Sequence, residues 1–107
     1  MSPKNFQKTL LTTVEEGLST LGDSPKQAIL FHIETSFKIK REEIPTNLTE
    51  FIKALEEILG PGAPYIEKII LKRLHDKLNL EFENSSLDFL NSVENLRKIF
   101  PEEMSKI

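Results

Sequence analysis

The segment Asn47 to Leu78 constrains the fold most, because it reads as two amphipathic helices separated by Gly60-Pro61-Gly62-Ala63-Pro64. Wound at 3.6 residues per turn, Leu48, Phe51, Ile52, Leu55, Ile58 and Leu59 fall on one stripe, with Lys53, Glu56 and Glu57 opposite. Asn47 and Glu50 stand at capping-box spacing. Gly60 occupies the position of a left-handed C′ residue, and Pro61 cannot continue the helix. The next helix, from Tyr65 to Leu78, carries Ile66, Ile69, Ile70, Leu71, Leu74 and Leu78 on a wider stripe. A break this short makes the two helices antiparallel or steeply crossed neighbours. The wider stripe predicts that the second is buried against more than one partner.

The flanking chain follows the same periodicity. Ser2-Pro3 reads as a cap and first helical residue, and Phe6, Leu10, Leu11, Val14, Leu18 and Leu21 then share one face. Gly17 within that helix points to close packing, and Gly22 ends it. Ser24-Pro25-Lys26-Gln27 reads as a second start, with Ser24 as N-cap and Gln27 as its reciprocal partner. The helix from Pro25 to Phe37 has its main stripe at Ile29, Leu30, Ile33 and Phe37. Phe31 points away among Glu34, Thr35 and Lys38, so it is either covered by another element or an exposed anchor for a partner. In the connector from Lys38 to Pro45, Ile39 and Ile44 tuck into the core around a charged turn, and Pro45 takes Ile44 out of helical geometry.

Asn79 closes the fourth helix, and Leu80-Glu81-Phe82-Glu83 reads as an extended linker. A fifth helix opens at Ser85 with Asp88 at the box position, ends at Pro101, and precedes a frayed tail from Met104 to Ile107. Its apolar arc, Ile99 through Leu96, Phe89, Phe100 and Val93 to Leu90, is wider than docking on one helix requires. We therefore expect a homodimer built on Phe89, Val93, Leu96 and Phe100, the alternative being that the helix folds back over its own body. The expected fold is all-α: a compact orthogonal or antiparallel bundle of about five helices, the last peripheral or dimerising. Residues 1–78 form the four-helix core, and 79–107 the linker and C-terminal helix.

Composition narrows the function. The chain of 107 residues has no Cys, so disulfides and thiolate metal sites are excluded. No apolar run approaches the ~20 residues of a membrane span, and the N-terminus lacks a signal-peptide core, making cytoplasmic the expected location. A net charge of −3 argues against broad binding to nucleic acid or anionic lipid. Lys68, Lys72, Arg73 and Lys77 form a local basic flank, read as a solvated face or as a surface for phosphate or an acidic partner. His32-Ile33-Glu34 has the faint outline of a phosphoacceptor histidine followed by an acid, but the motif is too short to be specific and His32 reads as a surface or boundary histidine. His75 reads as solvated. Glu67 falls within the apolar stripe, in the first helical turn, where the helix dipole favours a carboxylate in a structural role. No nucleophile and base pair, phosphate loop or metal-ligand spacing is present, so no catalytic, cofactor or metal residue is expected.

Several of these positions together resemble a known family. They are Gly17-Leu18, Leu21-Gly22, Ser24-x-Lys26-x-Ala28-Ile29-x-x-His32-Ile33-Glu34-x-x-Phe37-x-Ile39 and Glu43-Ile44-Pro45. The pattern continues with Phe51, Ala54-Leu55-Glu56-x-Ile58, Gly60-x-Gly62-Ala63, Ile66-Glu67, Ile70 and Leu74. This is similar to a small helical domain of ammonia-oxidising and related archaea, found alone or at the end of signal-transduction proteins and described as an output domain. The resemblance spans roughly Thr13 to Leu78 and implies an intracellular, non-enzymatic signalling or protein-interaction module, with no catalytic residue to carry over. The alternative is a transcription-associated nucleic-acid-binding protein using the basic flank.

Overall fold

The computed structural model of the chain describes residues 5–80 and 88–99. It is an all-α bundle of five helices, with no strand among the described residues. They are α1 (Asn5–Ser19), α2 (Asp23–Phe37), α3 (Leu48–Leu59), α4 (Ala63–Lys77) and α5 (Phe89–Ile99), with 3-10 turns at Arg41–Thr46 and Gly60–Gly62. The Ser2-Pro3 start, the linker from Glu81, the Ser85 cap, Phe100, the Pro101 stop and the terminal tail lie outside the described residues.

The centre of the bundle is α4. It packs most extensively against α1 and also touches α3 and α5, which meets the expectation of several partners. Ile66, Ile70, Leu71 and Leu74 are buried, while Ile69 and Leu78 are partly covered. At the α1 crossing, a Cβ on Gly17 would lie 2.5 Å from Ile70 Cγ1, so only glycine allows this approach. Phe6, Leu10, Val14 and Leu18 line the rest of that face. Leu21 does not join them: α1 stops at Ser19, and Leu21 is 38% exposed in the following turn.

Three helix starts differ from expectation for local reasons. Helix α2 begins at Asp23, and Gly22, with φ 110°, is its N-cap instead of Ser24. The Lys26 amide donates to the Gly22 carbonyl, and Pro25 sits among the first residues, where no intrahelical donor is needed. Asn47 precedes α3, but its side-chain amide donates to the Glu43 carbonyl at 2.9 Å and does not cap α3. Asn47 also terminates the 3-10 turn, and that role claims its side chain. Helix α4 begins at Ala63 and carries Pro64 in its first turn.

The connector is more ordered than its sequence implied. Arg41–Thr46 forms a 3-10 helix that includes Pro45, with the Lys40 amide donating to Glu43 Oε1 at 3.1 Å. Ile39 and Ile44 are buried as expected. Gly60 has the expected positive φ of 56°, but with ψ −129° it is a mirror-image extended residue and not a left-handed helical cap. At the end of α4, Asn79 (φ 61°) closes the helix as expected. The Leu80 amide reaches the His75 carbonyl at 2.9 Å and the Asn79 amide the Asp76 carbonyl at 3.1 Å, the two bonds of a Schellman motif.

Helix α5 folds back onto its own chain. Asp88 is its N-cap, accepting the Asn91 amide on Oδ1 at 2.8 Å. Phe89, Val93 and Leu96 are each at most 4% exposed and belong to the same core as α1, α3 and α4. These three residues are therefore covered within the chain and, at these positions, leave no exposed apolar face for a second copy. The width of their arc is explained by packing into the bundle, where each buried side chain of this size contributes roughly 1.5–3 kcal/mol.

Candidate interaction surface

Helix α2 stands at the margin of the core. Ala28, Ile29, Leu30 and Phe31 are consecutive, so successive 100° steps distribute them around the axis and no single neighbour can cover them all. Ile29 and Ile33 are buried against the bundle, and Leu30 and Phe37 are partly covered. Phe31 is 70% exposed in the middle of the helix, and no described element covers it. The Thr35 hydroxyl donates to the Phe31 carbonyl at 2.9 Å. His32 is also exposed, its ring edge-on to Phe37 with centroids 5.9 Å apart. Lys38, left-handed at φ 61°, ends the helix by donating its amide to the Glu34 carbonyl at 3.1 Å, which turns Ile39 inward. The outer face of α2 thus presents the Phe31 ring beside the exposed Glu34, Thr35 and Lys38.

The basic flank of α4 is partly spent within the molecule. Arg73 and Lys77 both reach Glu16 of α1, at 3.5 and 3.1 Å. Lys68 and Lys72 remain exposed. His75 is half-buried and not solvated as expected, its Nδ1 donating to the Leu71 carbonyl at 2.8 Å. Glu67 is also placed differently. Because α4 starts at Ala63, Glu67 lies in the second turn, beyond the strongest influence of the helix N-terminus.

Two features were not read from the sequence. Tyr65, in the first turn of α4, is 68% exposed. An open groove of about 390 Å³ runs between the Pro45–Thr49 region and α5, floored by Pro45, Leu48, Leu90 and Val93. Its walls are distant in sequence, so no local pattern announces it. Arg97 at its edge stacks over the Phe6 ring at 5.2 Å and so ties α5 to α1. Among the described residues no group of three or more acidic or histidine side chains could hold a metal, and no helix is long and apolar enough to cross a membrane. Compared with protein-family models, curated proteins and solved structures, the chain gave no match.

Proposed function

We propose that this protein is a non-enzymatic interaction module of the signalling-output kind, acting in the cytoplasm and engaging a protein partner through the outer face of α2. The observation that carries this reading is the exposure of Phe31, 70% open on a helix whose other large apolar residues are wholly or partly covered. A solvent-facing aromatic ring offers a large apolar area for a partner to bury, and such residues are enriched at interface cores. The resemblance to the archaeal output-domain family favours the same reading. With Phe89, Val93 and Leu96 used inside the bundle, a homodimer through α2 would bury Phe31. The nucleic-acid alternative is weakened by the two ion pairs that Glu16 makes with Arg73 and Lys77.

The test compares full-length wild type with Phe31→Ser in affinity capture from extract of the source cells, beside light scattering of each pure protein. The expected result is a protein retained by the wild type and lost with Phe31→Ser, or a wild-type dimer that becomes monomeric. Equal capture and equal mass for the two would overturn the reading. A nucleic-acid partner would declare itself by binding that falls steeply with salt.

A further inference from the structure

Glu67 lies on the inner face of α4, one turn from Ala63 on one side and from Ile70 and Leu71 on the other, all three buried. Its Oε2 is shielded from solvent and accepts no hydrogen bond among the described residues. Such an acceptor is tolerable on a neutral carboxylic acid and costly on a carboxylate. The two charges that act on it are both acidic. Helix α3 contributes Glu56, and α5 contributes Asp88. In α1, Glu16 reaches Arg73 and Lys77 and Glu15 pairs with Arg41, whereas the Gly60–Gly62 turn carries no charge. Burial first, and then the charges of Glu56 and Asp88, push the Glu67 carboxyl up to about 7.

Asp88 has a second role. Its Oδ1 and its carbonyl accept the amides of Asn91 and Ser92, at 2.8 and 2.9 Å, and so hold the first turn of α5. The positive end of that helix is already met by the Asp88 carboxylate, leaving little compensation for a second negative charge. We propose that Glu67 is a proton-controlled latch for α5, neutral when the helix is docked and, when ionised, repelling Asp88 so that the first turn of α5 loosens from α4. The joint between α4 and α5 is then the pH-sensitive part of the bundle, while the α1–α4 contact is not.

The direction follows from linkage. The part of the rise that the Asp88 charge supplies is lost when α5 leaves, so Glu67 holds its proton more tightly in the docked state. Docking is therefore unpenalised below the ordinary value of 4.5, loses ground as pH rises, and reaches its full penalty once pH has passed about 7.

The test uses the full chain. Carbon NMR follows the Glu67 carboxyl from acid to alkaline pH, and amide hydrogen exchange, corrected for intrinsic rate, follows Val93 and Leu96 in α5 and Leu10 and Val14 in α1. We expect a midpoint near 7 and a fall of about tenfold in α5 protection across it, as for local opening of one helix, with α1 unchanged. Glu67→Gln keeps the shape without the charge and should leave α5 protected at every pH. Asp88→Asn keeps a capping acceptor and should lower the Glu67 midpoint. A midpoint in the ordinary carboxylate range, a pH response that persists in Glu67→Gln, or equal loss of protection in α1 and α5 would each overturn the latch.

Discussion

Helices α2 and α4 are both 15 residues long, yet they do opposite things with their apolar side chains. In α4 the positions 63, 66, 70, 71 and 74 lie on one side of the axis, and all five are buried. In α2 the run from Ala28 to Phe31 wraps the axis, and only Ile29 and Ile33 of its residues are buried. The difference is one of spacing. A helix can present a single continuous face to a core, and residues off that face either meet a second neighbour or stay in water. Three helices surround α4 and accommodate its wide face, whereas α2 packs on α1 and α3 and leaves one side open. The bundle is therefore fixed by α4, and its outer surface chemistry is set in part by α2.

The most severe way to break this contrast is a charge at the centre of α4. Ile70 is fully buried where α1 and α4 meet. Ile70→Asp would bury a carboxylate with no partner, at a cost comparable with the roughly 5–15 kcal/mol that stabilises a whole domain. The expected outcome is loss of the cooperative thermal transition by circular dichroism. A melt unchanged from wild type would show that α4 is not the centre of the core.

A smaller perturbation tests the same contact from the other side. Alanine in place of a mid-helix glycine normally adds about 0.5–1 kcal/mol of stability. At Gly17 the added methyl would meet Ile70 Cγ1 at 2.5 Å, and overpacking of this kind typically costs about 1–3 kcal/mol. Gly17→Ala is therefore expected to lower the urea midpoint despite its better helix propensity. Combined with Ile70→Ala, which removes the clashing atom, it should cost less than the sum of the two single changes. Simple additivity would mean that the helices do not approach so closely.

The stripes of α3 and α4, the inward turns of Ile39 and Ile44, the positive φ of Gly60 and the closure at Asn79 were all legible in the sequence. Each depends on periodicity or on a residue whose backbone preference is strong. The caps were less legible, because a side chain that can cap has other uses. Ser24 loses the role to Gly22, whose φ of 110° suits the chain entry. Asn47 is committed to the Glu43 carbonyl. The start of α4 was misplaced by two residues because Ala63-Pro64 reads as a break but also suits a first helical turn. That displacement put Glu67, already on the apolar stripe, in the first turn when it belongs to the second. The destination of α5 was illegible for a different reason: an apolar arc records that a helix will be covered, not by what. Phe31 stood out as the residue off the main stripe of α2, although its sequence favoured a covering element over the exposure observed.

The mildest change in stability bears most directly on the surface. Phe31 and Ile33 are two positions apart on the same helix, at 70% and 0% exposure. Ile33→Ala opens a cavity in the core and should cost about 2–5 kcal/mol. Phe31→Ser removes a ring that the described residues do not cover, so the change should remain within about 0.5 kcal/mol, as for exposed positions in general. The two variants separate folding from recognition, because Ile33→Ala weakens the helix's attachment and Phe31→Ser leaves it in place. Parallel urea titrations supply the measurement. If Phe31→Ser costs as much as Ile33→Ala, then Phe31 is part of the fold, and the open side of α2 is not open. If only Ile33→Ala is costly, Phe31 contributes little to holding the bundle together, and the exposed ring stays available for a partner.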